Sequence, residues 1–314
     1  MKPILRQSWA LLALLAPACG LPQSADRPGG LTDRAFDLVY SVELAQASPD
    51  TVLWVPVPRE DGVQQVEILE SPASATISGP DVHGNRFASV TAAQSTRYTW
   101  RYRIRRSTDG PGASGGEVRR AYLAADTLVP IDGEAATRAA EASAGRRSTA
   151  TVSRAIYDRV LADMDYRKDG TGWGTGSTQW ACSAGYGNCT DFHALFISMS
   201  RSREIPARFT IGFPLPAGQA EGKLNGYHCW AHYYDPAAGW TPVDVSEADK
   251  DPSKTDFYYG TLDPDRVSMT VGRDLVLSPP QQGPPLNYFV HAYAERRGEP
   301  LDVTTTVRFR DLPR

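Results

Sequence analysis

The sequence predicts an α+β fold, in which an N-terminal antiparallel β-sandwich-like domain precedes a domain with a core helix packed on an antiparallel sheet. Residues 35–44 (AFDLVYSVEL) and 97–104 (RYTWRYRI) alternate apolar and polar side chains, which indicates strands with one buried face. Residues 152–164 instead repeat apolar side chains at helical spacing. The length of 314 residues suits one large domain or two ordinary ones.

The N-terminus has the pattern of a secretory signal peptide over residues 1–18. Lys2 and Arg6 precede a short apolar run that ends in the triplet APA. Two alternatives stay open at the next residue: cleavage after Ala18, or attachment of a lipid to Cys19, because LAPACG looks like a loose bacterial lipobox. In both cases we expect residues 19–31 to be a linker and the protein to be exported, periplasmic or extracellular, and lipid-anchored in the second case.

The first domain is predicted over residues 32–108. Between its two alternating strands lie the segments TVLWVPVP, QQVEIL and ATISG, separated by Pro, Gly, Asp and Ser. Short strands with such punctuation are most simply arranged as a sandwich. A second domain is expected over residues 118–280, and two further strands over 281–314 (NYFVHAYAE and VTTTVRFR) are expected to complete a sheet.

Cys189 is predicted to open a helix. After it, apolar side chains follow at i, i+3, i+4 and i+7: Phe192, Leu195, Phe196 and Met199. Asn188 is a good N-cap, and Asp191 has the position that completes a capping box. A helix N-terminus lowers the pKa of a thiol, as a reactive cysteine requires. The position alone is also compatible with a buried structural cysteine.

A hairpin downstream carries a candidate base. Residues 227–234 read as a strand, and GWTPVDV as its returning partner. If Tyr234 pairs with Trp240, then His228 and Asp244 are diagonal neighbours on one face, about 7–8 Å apart at the backbone. A carboxylate at that place fixes the tautomer of an imidazole, which can then take a proton from a thiol.

Three cysteines remain after Cys19, an odd number for an oxidising compartment. At least one thiol is therefore expected to stay free unless it pairs with another chain. A disulfide between Cys182 and Cys229 would explain the odd number, because it leaves Cys189 as the free thiol, and we expect this pairing.

Metal binding is the rival interpretation of the histidines. On one strand His228 and His232 stand about 13 Å apart, too far for a shared ion. Spacing leaves combinations of the cysteines with His228 open, but we expect no metal. His193 lies one turn after Cys189, where it either lines the site or packs.

The segment KDGTGWGTGSTQW (residues 168–180) is too rich in glycine for regular structure. It matches neither a phosphate-binding nor a dinucleotide loop. We predict a rim segment in which Trp173 and Trp180 either contact a substrate or pack down the loop.

Four motifs occur in one order: GNCTDFHALF at residues 187–196, EIPAR at 204–208, HCW at 228–230 and GWTPVD at 239–244. Together they resemble the transglutaminase-like superfamily, and within it the bacterial exported proteins, over about residues 150–280. The resemblance implies a papain/transglutaminase-like cysteine domain. It also implies Cys189 as nucleophile, His228 as general base and Asp244 as orienting carboxylate.

The resemblance further implies an oxyanion hole with the backbone N–H of Cys189 as one donor. Candidates for the second donor and for the substrate lining are Trp173, Gln179, Trp180, Asn188 and Trp230. Calcium, which animal transglutaminases need, has no clear site, and no cofactor is expected.

The function expected from the resemblance is attack on peptide or amide bonds through an acyl-enzyme, ending in hydrolysis or transfer to an amine. The alternative is a non-catalytic peptide-binding envelope module on the same fold. The expected partner is a peptide or protein, such as one of the cell envelope. The net charge of −3 gives no basic footprint for nucleic acid, and membrane contact is expected only through a lipid on Cys19.

Overall fold

The computed structural model of the protein describes residues 33–313, so the signal peptide predicted at 1–18, Cys19 and the linker at 19–31 lie outside the described residues. The first strands are β1 Arg34–Leu44, β2 Thr51–Pro56, β3 Gln64–Glu70, β4 Thr76–Ile77, β5 Phe87–Thr91 and β6 Arg97–Arg106. The helical part contains α1 Gly133–Ala142, α2 Thr149–Asp163, β7 Asp165–Tyr166, α3 Thr178–Ala184, β8 Tyr186–Gly187 and α4 Cys189–Ser202. It is followed by β9 Ala207–Pro214, β10 Glu221–Leu224, β11 His228–Asp235, β12 Gly239–Val243, α5 Val245–Lys250, β13 Arg266–Val271, β14 Tyr293–Arg296, β15 Glu299–Pro300 and β16 Val303–Asp311.

Two five-stranded antiparallel sheets combine strands from both ends of the chain. Their strand orders are β10-β16-β1-β6-β3 and β15-β14-β2-β5-β4. The alternation seen in the sequence of β1 is the alternation of burial: Phe36, Leu38, Tyr40, Val42 and Leu44 are all buried. These side chains share one core with Leu53, Val55 and Val90 of the other sheet. The predicted α+β class, with a β-sandwich-like N-terminal part, is confirmed.

The C-terminal strands pair with N-terminal ones. β16 lies beside β1 with Tyr40 opposite Val307, and β14 lies beside β2 with Trp54 opposite Tyr293. β10, from the middle of the chain, pairs with the other edge of β16. Hydrogen bonding therefore crosses the predicted domain boundaries at 108, 118 and 280, and these boundaries stay predictions.

A third, four-stranded sheet of order β12-β11-β9-β13 supports α4. In the hairpin of β11 and β12, Tyr234 pairs with Trp240, the register expected from the sequence. α4 packs on β11, for example through the rings of Phe196 and Tyr233, whose centroids are 6.4 Å apart. This packing sets the start of the helix beside the start of β11.

One part of the glycine-rich segment differs from expectation. α3 begins at Thr178, inside the segment predicted to lack regular structure. Ser177 caps it by accepting a hydrogen bond from the backbone N–H of Trp180, and Gly185 ends it with a φ of 66°. No helix within residues 33–313 is long and apolar enough to cross a membrane.

Candidate active site

The start of α4 is built by the capping box that the sequence predicts. Asn188 Oδ1 accepts a hydrogen bond from Thr190 N at 2.9 Å, and Asp191 Oδ2 accepts one from Asn188 N at 3.0 Å. Gly187 is required beside them, because a Cβ there would lie 2.3 Å from the Asp191 carboxylate. Cys189 is thus the first residue of the helix, and it is 2% exposed.

Asp191 also ties the glycine-rich segment to α4. Its carboxylate accepts hydrogen bonds from Gly174 N at 2.6 Å and from Gly176 N at 2.9 Å. The segment therefore has a fixed attachment next to Cys189, although most of it is irregular.

His228 and Asp244 meet at the ends of β11 and β12. His228 Nε2 lies 2.7 Å from Asp244 Oδ2. The same oxygen accepts a hydrogen bond from Arg266 at 2.9 Å, and Oδ1 accepts one from Glu247 N at 3.1 Å, which caps α5. Nδ1 is the imidazole nitrogen that Asp244 leaves unused, and it is the one available to a thiol.

Asp244 and His228 are both buried, and each stabilises the charged form of the other. Burial alone would raise the pKa of Asp244, but His228 and Arg266 hold it well below its usual range. Burial would lower the pKa of His228, but the Asp244 carboxylate and the neighbouring Cys189 raise it to about 10.

The pKa of the Cys189 thiol lies well below its usual value. The largest cause is a hydrogen bond from the Cys229 thiol, and the charge and hydrogen bond of His228 act in the same direction against burial. Both shifts favour the pair in which the thiol has given its proton to the imidazole, the form in which a thiol is nucleophilic.

The imidazole of His193 connects Cys189, at the start of α4, to Val245, the residue after Asp244. Its Nδ1 lies 2.7 Å from the carbonyl oxygen of Cys189, and its Nε2 accepts a hydrogen bond from Val245 N at 3.2 Å. These partners require the tautomer with the proton on Nδ1. Burial lowers the pKa of His193, which keeps the ring neutral. Of the two roles that the sequence leaves open, the ring therefore packs, but directly against the site.

The predicted Cys182–Cys229 disulfide is wrong, because Cys182, Cys189 and Cys229 are all free thiols. Cys182 lies on α3 and lines a cavity of about 440 Å³ together with Gln179. Cys229 lies on β11, where its Sγ is 3.7 Å from His193 Nδ1. Its face of the strand points to α4 and Cys189, not to α3.

The side chains expected to donate to the oxyanion, Trp173, Trp180 and Gln179, are engaged elsewhere or lie at another cavity. Trp173 Nε1 donates to the carbonyl of Gly170 at 3.2 Å, and Trp180 Nε1 donates to that of Tyr186 at 3.0 Å. Gln179 is exposed at the cavity beside Cys182, whose lining does not include the three candidate triad residues.

Trp230 does not line a substrate groove, which corrects that expectation. It is 1% exposed, and its ring lies 6.1 Å from that of His228 and 5.0 Å from the guanidinium of Arg266. On β11 it shares a face with His228, so it packs against the base from inside the protein.

Two tyrosines at the site were missed. The Tyr227 hydroxyl accepts a hydrogen bond from Asn188 Nδ2 at 3.1 Å, and it lies 3.5 Å from the hydroxyl of Tyr288. The position of Tyr227 immediately before His228 could have drawn attention to it. Tyr288 and Arg266 come from distant segments, and no local pattern marks them.

A second histidine–carboxylate pair lies further along β11. His232 Nε2 is 2.8 Å from Asp109 Oδ2, and both side chains are buried. This contact accounts for Nε2 of His232, whereas its Nδ1 is buried without a hydrogen-bond partner among the described residues. Within residues 33–313, no group of three or more His, Cys, Asp or Glu side chains is arranged to hold a metal ion.

Comparisons with known proteins show what the chain is similar to. The model of the transglutaminase-like superfamily matches residues 136–245, the range that holds Cys189, His228 and Asp244. An uncharacterized protein of Haemophilus influenzae is 28% identical in an alignment of 179 residues, and the match covers 47% of this chain and 48% of that protein. The match therefore spans about half the length of that relative.

Two solved structures are also similar. One is of a candidate cysteine protease from Cytophaga hutchinsonii, with a TM-score of 0.58, 15% identity, and coverage of 90% of this chain and 92% of that one. The other is of the periplasmic domain of TgpA from Pseudomonas aeruginosa, with a TM-score of 0.40, 15% identity, and coverage of 69% and 92%. The first shows a shared fold across nearly the whole chain.

Proposed function

We propose, because residues 136–245 form a transglutaminase-like core domain, that the protein is a thiol enzyme acting on peptide or amide bonds. In this proposal Cys189 is the nucleophile, His228 the acid and base, and Asp244 the orienting carboxylate. The observation that carries the proposal is the buried 2.7 Å contact between His228 Nε2 and Asp244 Oδ2, next to a cysteine whose pKa His228 lowers.

The first half-reaction forms an acyl-enzyme. The thiolate of Cys189 attacks the carbonyl carbon, a C–S bond forms, and the carbonyl electrons move to oxygen. As that oxyanion collapses, the imidazolium of His228 gives its proton to the leaving nitrogen and the C–N bond breaks. The products are a free amine and a thioester on Cys189.

The second half-reaction releases the acyl group. Neutral His228 takes a proton from water or from an incoming amine, which attacks the thioester carbon. The C–S bond breaks and the Cys189 thiolate returns. Water gives a carboxylic acid and an amine gives a new amide, so the acceptor decides between hydrolysis and acyl transfer.

The proposal includes export to the periplasm or the outside of the cell, supported by the signal-peptide pattern of residues 1–18. The mass of the N-terminal peptide of the cell-derived protein tests this. Cleavage after Ala18 and a lipid on Cys19 give different masses, and a retained Met1 would contradict both.

Labelling of the thiols tests the enzyme. The protein is treated briefly with iodoacetamide near neutral pH, and the label is mapped by mass spectrometry. We expect Cys189 to react much faster than Cys182, whose pKa burial raises. Equal and slow labelling of all three thiols would contradict a thiolate at Cys189.

Turnover separates an enzyme from a binding module. Candidate envelope peptides are incubated with wild-type protein and with Cys189→Ala, and hydrolysed or amine-transferred products are sought by mass spectrometry. We expect products from the wild type alone. Full biological activity of Cys189→Ala in cells would favour the non-catalytic alternative.

A further inference from the structure

The acyl transfer proposed above needs hydrogen-bond donors for the oxygen that becomes negative. The backbone N–H of Cys189 is one, because the first N–H groups of a helix have no partner within it. The side-chain donors expected from the sequence do not supply a second. The indole N–H groups of Trp173 and Trp180 donate to the backbone carbonyls of Gly170 and Tyr186. Gln179 lines a different cavity, the one that also contains Cys182.

The Tyr227 hydroxyl lies beside the start of α4 and has a proton that it can donate. Its oxygen accepts a hydrogen bond from Asn188 Nδ2 at 3.1 Å. The Tyr288 hydroxyl is 3.5 Å away, and it is equally far from the carbonyl oxygen of Gly174. The contact with the Tyr288 hydroxyl is long for a hydrogen bond between two hydroxyls, so it competes only weakly for the Tyr227 proton. Asn188 directly precedes the nucleophile, and the charge of Cys189 acts on the Tyr227 hydroxyl, so this hydroxyl lies near the sulfur.

The ring is held in position before any substrate arrives. Tyr227 is half-buried, and its ring centroid lies 5.6 Å from that of Tyr288 and 6.4 Å from that of His291. Burial also raises the pKa of Tyr227, as does the nearby Cys189 charge, so the hydroxyl keeps its proton at neutral pH. Donors fixed in advance are the ones that stabilise a developing charge most effectively.

We propose that the Tyr227 hydroxyl is the side-chain donor of the oxyanion hole, opposite the backbone N–H of Cys189. The assignment rests on the proposed function, since a protein that transfers no acyl group forms no oxyanion. Tyr227 then contacts the reacting carbonyl oxygen directly, and the hydrogen bond from Asn188 aims its hydroxyl.

Two reactions of the same sulfur test the assignment. Iodoacetamide alkylates Cys189 by displacement of iodide at a saturated carbon, so no oxyanion forms. p-Nitrophenyl acetate acylates Cys189 through a tetrahedral oxyanion and releases p-nitrophenol. For Tyr227→Phe we expect the acylation rate to fall by about 100- to 1000-fold, the effect of losing one oxyanion donor. The alkylation rate should stay at the wild-type value, which also shows that the variant is folded around the thiolate.

Tyr233→Phe is the matched control. It removes a hydroxyl from another tyrosine pair, in which the Tyr233 and Tyr259 hydroxyls are 3.0 Å apart, and leaves Tyr227 and its partners in place, so we expect acylation close to the wild-type rate.

Acylation of Tyr227→Phe at the wild-type rate would overturn the assignment. A fall of both reactions by the same factor would also overturn it, because Tyr227 would then act on the thiolate or the fold. A wild-type protein that alkylates rapidly at Cys189 but is never acylated would instead contradict the proposed function.

Discussion

The imidazole of His228 and the carboxylate of Asp244 are joined by a 2.7 Å contact from which solvent is almost entirely excluded. Arg266 donates to the same carboxylate oxygen at 2.9 Å. The acid therefore stays ionised without a proton from the imidazole, and it can both orient His228 and stabilise its charge.

Replacing Asp244 by Asn tests this double role. The amide keeps the size of the side chain but removes its charge, so we expect the pKa of His228 to fall and that of Cys189 to rise. By analogy with the orienting carboxylate of serine proteases, turnover should fall on the order of 10⁴-fold. The pH dependence of Cys189 alkylation measures the change of pKa.

Asp109→Asn is the control, because it breaks the equally buried pair with His232 on the same strand. We expect it to destabilise the protein by about 1–3 kcal/mol, the penalty for a disturbed buried hydrogen bond. The alkylation profile should not move. An Asp244→Asn profile that matches the wild type would contradict the orienting role.

The free energy of unfolding should depend on pH in a way that reveals the ion pair of Cys189 and His228. The pKa of His228 is about 10 in the folded protein and about 6.5 when unfolded. Its stabilising contribution is complete below about pH 6.5 and is lost as the pH rises through about 10. Cys189 has the opposite sign: its folded pKa is lowered, so its contribution grows with pH up to its unfolded value of about 8.5.

The two slopes oppose each other below about pH 8.5, and between about 8.5 and 10 the fall due to His228 is no longer offset by Cys189. Cys189→Ser removes the compensating thiol, so the unfolding free energy of this variant should begin to fall near pH 6.5. Urea unfolding at a series of pH values compares the two proteins. Parallel curves would show that no thiolate–imidazolium pair exists.

Cys229 is expected to tune the nucleophile rather than to pair with Cys182. Cys229→Ala removes the hydrogen bond that lowers the pKa of Cys189, so alkylation of Cys189 should slow at acidic pH. Cys229→Ser keeps a donor and should restore much of the rate. Cys182→Ala changes a thiol on α3 and serves as the control. An effect of Cys182→Ala equal to that of Cys229→Ala would be incompatible with this role.

Asp191 should control both the start of α4 and the glycine-rich segment. Asp191→Ala removes acceptors for the backbone N–H groups of Gly174, Gly176 and Asn188. We expect a loss of about 0.5–2 kcal/mol from the cap alone, measured by urea unfolding, and faster proteolysis within residues 168–177. Asp158→Ala removes an exposed pair with Arg154 and should change stability by less than about 1 kcal/mol.

The sequence predicted those parts of the site that depend on local patterns. The capping box of Asn188 and Asp191 needs a spacing of three residues, and the pairing of Tyr234 with Trp240 follows from a short turn. Both are present, and they bring His228 and Asp244 together as expected. Their catalytic roles, and that of Cys189, stay predictions.

What depends on distant partners was not predictable from one sequence. The odd number of cysteines suggested the pairing of Cys182 with Cys229, but the count says nothing about which face of a strand meets which helix. Likewise, Arg266 reaches Asp244 from a separate strand of the sheet, and the partner of the C-terminal strand could not be chosen among several compatible strands. α3 was not predicted, because it is only seven residues long and begins inside the glycine-rich segment, whose composition predicts a loop.

The position of β16 between β10 and β1 decides which truncations the sheet tolerates. Deleting residues 303–313 would leave both β1 and β10 with a row of unpaired backbone N–H and C=O groups. Such exposed strand edges pair with other chains, so we expect this truncated protein to aggregate. A fragment limited to residues 118–280 would have the same defect at β10. Phe36 lies opposite Asp311, so β1 begins beside the end of β16. Circular permutation, with a short linker there and new termini in an exposed loop, should therefore be tolerated where truncation is not.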